Sequence, residues 1–117
     1  MFGAVGNQDI FGRSRTFKTS LTSADVGKAV TMVGNNEVGL GVSGDLFVGV
    51  LGRVEKDGTC RVECYGNVTV PYSGTIAVGN KVVVDGNGNV KDAGTSVSGR
   101  GFVSVVDSTN TKVQVEL

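Results

Sequence analysis

Residues 68–93 read V-T-V-P-Y-S-G-T-I-A-V-G-N-K-V-V-V-D-G-N-G-N-V-K-D-A, and this stretch decides the fold class. A β-branched run stops at Pro71, the only proline, which has no amide hydrogen to give to a sheet and therefore suits a strand end or an edge. The pairs Asp85-Gly86 and Asn87-Gly88 tolerate the positive φ angles that tight hairpins need. The stretch predicts a stiff series of short strands joined by tight turns.

The rest of the chain from residue 15 onward shows the same pattern. Short alternating or β-branched runs are separated by turn residues, and only residues 23–25 suggest even one helical turn. Further strands are predicted at residues 15–22, 28–33, 46–56, 59–65, 102–106 and 112–117. We therefore predict an all-β fold, a small β-barrel or β-sandwich of short antiparallel strands, forming a single domain over residues 15–117.

The pattern also repeats within the chain. Three pairs of segments align, and the offsets between them drift only where turns lie. The pairs are 26–38 with 78–90, 47–50 with 102–105 and 61–64 with 114–117, at offsets of 52, 55 and 53 residues. Chance similarity between strands rich in Gly and Val is the alternative. We interpret the repeat as two similar β-modules within one domain, too few for a solenoid.

Residues 1–14 differ from the rest, because they have neither a strand period nor a helix period. Scattered apolar residues in such a segment are typical of an extended arm that orders on a neighbour, although a frayed terminus is the alternative. We expect this N-terminal arm and its base to contact a partner. The candidate contact residues are Phe2, Ile10, Phe11, Arg13 and Arg15.

The charge balance limits the classes of partner. Eleven Lys and Arg residues offset eleven Asp and Glu residues. This balance argues against nucleic acid, because phosphate binding needs clustered basic residues. No apolar run reaches the length of a membrane span, so no membrane partner is expected. Residues 1–12 lack a basic start followed by a hydrophobic stretch, so we expect no signal peptide and synthesis in a cytoplasm.

The two cysteines, Cys60 and Cys64, lie on an alternating run that places both on one face of a strand. Four residues of strand span roughly 13 Å, whereas a disulfide needs Cα atoms within about 7 Å. We therefore expect two small buried side chains and no bridge between them. A zinc site is not expected either, because the chain has no His and no further Cys.

Two motifs imitate binding sites. Residues 39–44 match G-x-G-x-x-G, but a strand follows where dinucleotide binding requires a helix. Residues 85–89 imitate the start of a calcium loop, but Val90 and Ser96 stand where Gly and Glu are required. With no His and no base evident beside either cysteine, we expect no enzyme activity, no catalytic residues, no metal and no cofactor.

Six segments in a fixed order carry a resemblance to a known family. They are V-G-K-A-V at 26–30, F-V-G-V-L at 47–51, G-N-V-T-V at 66–70, the stretch 73–90, G-F-V-S-V at 101–105 and V-Q-V-E-L at 113–117. In this order they resemble the small bacteriophage capsid decoration (cement, or head-stabilising) proteins. The resemblance covers about residues 24–117, and the segment before it is longer and more aromatic than is usual in that family.

The resemblance implies a non-enzymatic virion protein that is made in the host cytoplasm and lies on the capsid surface. Its partners would be the major capsid protein, whose neighbouring subunits it clamps, and further copies of itself, often as a homotrimer. One alternative is a phage tail or baseplate structural protein. Another is a small β-module that binds carbohydrate or another ligand, although the lack of Trp and the presence of only two Tyr disfavour a stacking platform.

Overall fold

A computed structural model describes residues 14–117. The predicted contact residues Phe2, Ile10, Phe11 and Arg13 lie outside the described residues. Ser14, which the sequence placed in the arm, is the first residue of a strand. The elements are β1 Ser14–Thr19, a 3₁₀ turn Ser23–Asp25, β2 Ala29–Gly34, β3 Glu37–Gly39, β4 Gly49–Val54, β5 Thr59–Glu63, β6 Asn67–Pro71, β7 Val82–Val84, β8 Val90–Asp92, β9 Phe102–Asp107 and β10 Lys112–Glu116.

The first five strands close into a barrel in the order β1-β3-β2-β4-β5, which we call the first barrel. The all-β prediction and the prediction of a small barrel are confirmed. Four of the five pairings are antiparallel, but β1 and β3 pair in parallel, with Thr19 opposite Val38. A closed ring of five strands cannot alternate direction all the way round, so at least one neighbouring pair must be parallel.

The last five strands, which we call the second barrel, repeat this arrangement. One sheet has the order β6-β10-β9, and β7 pairs with β8. Two single bridges join these sheets: Tyr72 pairs in parallel with Val90, and Val82 pairs antiparallel with Arg100. The ring order is therefore β6-β8-β7-β9-β10, the same topology as in the first barrel. The two predicted β-modules are confirmed.

Backbone hydrogen bonds show which residues of the two barrels are equivalent. The Leu51 amide donates to the Lys28 carbonyl, and the Val103 amide donates to the Asn80 carbonyl. Strands β4 and β9 therefore correspond at an offset of 52, and the predicted offset of 55 for this segment is wrong. The sequence alignment of this segment was shifted by three residues, because short runs of Val and Gly remain similar after such a shift. Both strands also have a register irregularity at the corresponding step of their pairing with β5 and β10.

Two apolar cores fill the barrels. The core of the first consists of Val30, Val38, Leu51, Cys60, Val62 and Cys64. The core of the second is built mainly from valines of β6 to β10, together with Ile76. Three residues of the first barrel also belong to this second core: Ala29, Phe47 and Val50. The barrels are thus packed against each other, and their interiors are occupied by side chains.

Residues 44–47, between β3 and β4, join the two barrels. Leu46 forms a bridge with Val83 of β7, the Gly44 amide donates to the Val84 carbonyl (2.9 Å), and the Val84 amide donates to the Asp45 carbonyl (3.0 Å). Phe47 follows and is fully buried in the second core. A segment of the first barrel therefore completes the second barrel as an added strand and an apolar plug.

Pro71 leaves a carbonyl group free for a second connection between the two barrels. Its equivalent in the first barrel, Lys18, donates its amide to the Asn36 carbonyl. Proline has no amide hydrogen, so Pro71 cannot make the corresponding bond to Gly88. The Gly88 carbonyl instead accepts the amide of Ala29 from the first barrel at 2.8 Å.

Candidate interaction surface

Arg15 is the one predicted contact residue within the described part of the chain. It lies exposed on β1, opposite Val62 of β5. It is the second residue of β1, next to Ser14, which lies opposite Glu63.

Cys60 and Cys64 are free and buried, so the prediction of two buried side chains without a bridge is confirmed. Burial raises the pKa of both thiols. At Cys64, the charges of Arg100 and Arg15 act in the opposite direction without reversing the shift. A buried thiol with a raised pKa is a poor nucleophile, so neither cysteine is equipped for covalent catalysis.

The loop that imitates a calcium site is a hairpin turn. The Asp85 carboxylate accepts hydrogen bonds from the amides of Asn87 (2.7 Å) and Asn89 (3.1 Å), from Asn89 Nδ2 (2.9 Å) and from the Ser73 hydroxyl (2.7 Å). Burial alone would raise the pKa of Asp85, but these hydrogen bonds outweigh burial and hold it below its ordinary value. The carboxylate is therefore engaged in holding the turn.

The glycine-rich motif begins at Gly39, the last residue of β3, and continues as a loop over residues 40–44; a strand, β4, and not a helix follows, as predicted. Across residues 14–117, no group of three or more His, Cys, Asp and Glu side chains is placed to hold a metal ion. In the same residues, no helix has the length and apolar character needed to cross a membrane.

The outer face of β1, β5 and β4 carries basic side chains interspersed with acidic ones. Lys18, Arg53 and Arg61, which we call the basic face, are all exposed. The acidic neighbours are Glu37, opposite Lys18, and the exposed Glu55 and Glu63. Arg53 lies directly opposite Arg61 in the pairing of β4 with β5. Like charges in this position destabilise a sheet. Arg53 forms an ion pair with Glu55, whereas Arg61 forms none with a carboxylate of the described residues.

The second barrel has no such face. Val105 and Gln114 occupy the positions of Arg53 and Arg61, as their own pairing shows. They border a shallow groove of about 390 Å³, which Thr69, Asp107 and Lys112 also line. The basic face is therefore a property of the first barrel and not of the repeated fold.

An exposed aromatic side chain marks the second barrel instead. Phe102 is 51% exposed, whereas its equivalent Val50 is 6% exposed because the second barrel covers it. Sequence reasoning did not select Phe102, Arg53 or Arg61. Alternation along residues 59–65 placed Arg61 outward, but only the register of β4 against β5 brings the two arginines together.

Arg100 was also missed by the sequence analysis. Its guanidinium donates to the backbone carbonyl oxygens of Phe47, Val48 and Cys64. Arg100 precedes β9 of the second barrel, and its three acceptors belong to the first barrel and the segment after it. Its fork of donors thus ties the two barrels together, and no local sequence signal predicts these partners.

A scan against models of known protein families and a search of curated proteins each found no match to this chain.

Proposed function

We propose that this chain is a virion structural protein, a capsid decoration (cement) protein that binds the outer face of the major capsid lattice and stabilises the head. In this proposal it is not an enzyme and needs no cofactor. It acts on the capsid surface. Its partners are the major capsid protein and further copies of itself, with which it forms a homotrimer. The order of the six sequence segments is the first support.

The observation that carries the proposal is that the exposed side chains available for binding lie on the outer faces of the two barrels. The two packed cores leave side chains, and not ligand space, inside the barrels. The charged and apolar groups that a partner would meet lie on outer faces, including Arg53, Arg61 and Phe102. Two packed barrels tied by Arg100 and residues 44–47 form a rigid support for such faces. This arrangement favours a protein that binds surfaces.

The pair of arginines on the basic face favours an acidic group on the partner, at a surface that also carries Glu37, Glu55 and Glu63. The fold does not require Arg53 opposite Arg61, because the second barrel makes the same pairing with Val105 and Gln114. Acidic groups on a partner would offset the repulsion between the two arginines, and charge complementarity of this kind gives orientation and specificity. Weak contacts of this type suffice when many copies bind one shell.

The predicted arm adds a second contact in the proposal. Arg13 and Arg15 would meet acidic groups, and Phe2, Ile10 and Phe11 would fill apolar pockets on a capsid subunit or on a neighbouring copy. Burying one such side chain stabilises a contact by up to about 1.5–3 kcal/mol. Ordering the arm opposes this gain at about 1–2 kcal/mol per residue, so contact must extend along much of its length.

Imaging tests the proposal directly. Phage particles that carry this protein and particles that lack it would be compared by cryo-electron microscopy. We expect added density on the outer capsid face, and heads without the protein that rupture at lower temperature. Density confined to the tail or baseplate would support the alternative structural role, and no density on any particle would overturn a virion role.

A further inference from the structure

The two barrels differ at one pair of equivalent strand edges. On one edge of β7, Val82 pairs with Arg100, and beyond it Val83 and Val84 pair with residues 44–46. On the corresponding edge of β2, pairing with β4 covers Ala29 and Val30. Within residues 14–117, nothing pairs with the continuation of that edge, residues 31–33.

Side-chain burial shows the same difference. Val84 is fully buried in the second core, beside the added segment and its Phe47. Its equivalent Met32 is 40% exposed, and Val33 next to it is 51% exposed. An open strand edge flanked by exposed apolar side chains is a site that accepts a further strand. The first barrel therefore lacks this covering over Met32 and Val33, whereas Thr31 is buried beside Gly41.

The sequence contains a second tripeptide of the same type as the one at the centre of that covering segment. Asp45-Leu46-Phe47 is the tripeptide that adds to β7 and fills the second core. The only other Asp-(Ile/Leu)-Phe tripeptide in the sequence is Asp9-Ile10-Phe11. It lies in the N-terminal arm, outside the described residues, and it supplies the same order of an acid, a branched aliphatic residue and an aromatic residue.

We propose that residues 9–11 from a second copy of this chain add as an antiparallel strand to the open edge of β2. By equivalence with Leu46 and Val83, Ile10 lies opposite Thr31. By equivalence with Phe47, Phe11 covers Met32 and closes the first core. This proposal deepens the self-association within the proposed function, and it rests on that function only for the number of copies that join.

Two observations favour a second copy over the same chain. The described precedent is an exchange between units, because residues 44–47 complete the barrel to which they do not belong. If the arm bound its own barrel, residues 10–14 would have to cross two strand spacings across the sheet and two residues along the strand direction. This is a distance of roughly 12 Å. Four residues reach at most about 14 Å, so the chain would be nearly taut around the barrel end, whereas a neighbouring copy has no such constraint.

Disulfide trapping tests the proposal in the full-length protein. Cys60 and Cys64 are replaced by Ala so that only introduced thiols can pair, and Asp9→Cys is combined with Met32→Cys, the exposed position opposite it in this register. After mild oxidation, we expect covalent dimers and larger species on a non-reducing gel. The matched control combines Ile10→Cys with Met32→Cys, where a one-residue shift turns the side chain to the other face; it should give at least tenfold less product.

An intrachain disulfide would show that the arm binds its own barrel and would overturn the assignment to a second copy. No disulfide, or equal yields from both pairs, would overturn the edge itself.

A second measurement covers the case in which these variants do not fold. Phe11→Ala should weaken self-association at least tenfold by light scattering, while the control Val97→Ala, at a fully exposed apolar side chain, leaves it nearly unchanged. Equal behaviour of both variants would contradict the proposal. These assays use no capsid, so their failure is distinct from a failure of the protein to bind capsids.

Discussion

Gly49 and Gly101 occupy the same place in the two barrels. A Cβ added at Gly49 would overlap the backbone carbonyl oxygen of Glu63, and one added at Gly101 would lie 2.5 Å from the carbonyl oxygen of Glu116. Glu63 and Glu116 are equivalent residues of β5 and β10. Each barrel therefore depends on a glycine where one strand begins close against its neighbour.

Gly49→Ala and Gly101→Ala should each lower the free energy of unfolding by about 1–3 kcal/mol, because backbone cannot move aside as a side chain can. The change at Gly101 also places alanine at φ 65°. Urea unfolding measures the loss. The control is Gly52→Ala, whose Cβ would meet the flexible Glu63 carboxylate at 3.2 Å and should cost much less. Equal losses at all three positions would contradict the close-approach explanation.

Arg100→Leu should destabilise the protein by about 2–4 kcal/mol, because three backbone carbonyls lose a charged donor. Arg100→Lys keeps the charge without the fork and should recover only part of the loss. The control Arg53→Leu removes an exposed arginine and should change stability by less than about 0.5 kcal/mol. If Arg100→Leu behaves like the control, the two barrels do not depend on this tie.

Asp85 should make stability depend on acidity. Hydrogen bonds hold its pKa in the folded state below the ordinary value of 3.8. The stability it contributes is therefore present above about pH 4 and lost as the pH falls through the lower folded pKa. Asp85→Asn should be less stable than the wild type at pH 7, and the difference should shrink by pH 2. Thermal unfolding at both pH values measures this, and a difference that grows in acid would contradict it.

The cysteines should show the opposite pH behaviour. Because burial raises the pKa of both thiols above an ordinary value of 9.0, the protonated folded form is favoured, and stability is lost as the pH rises through the folded pKa. Replacing both by Ala should cost about 1 kcal/mol per site at pH 7 and reduce the loss at pH 10. Rapid labelling of both thiols by a bulky reagent in the native protein would contradict their burial.

The sequence predicted the local parts of this fold well. Asp85-Gly86 and Asn87-Gly88 marked a hairpin turn that the structure contains between β7 and β8, and the repeat predicted two modules. Turn residues act locally, because backbone conformation at two or three positions determines them. The alternation of Cys60 and Cys64 placed both inward for the same local reason.

Long-range features were not predictable in this way. The parallel pairing of β1 with β3 follows from closure of a five-strand ring, which no single segment encodes. The partners of Arg100 are backbone carbonyls distant in sequence, so its side chain gave no signal. The arginine pair on the basic face depends on the register of β4 against β5, and a register irregularity follows Leu51 there.

Adding purified protein back to phage heads that lack it tests the central proposal most directly. Wild-type protein should co-sediment with heads to a fixed number of copies per head, and rising salt should weaken the binding. Arg53→Glu combined with Arg61→Glu should reduce the affinity at least tenfold with folding intact, while the control Lys91→Glu on the second barrel binds like the wild type. Binding by both variants that equals the wild type would remove the basic face from the contact. Wild-type protein that leaves heads bare, or binds only tails, would contradict the proposal that it decorates capsids.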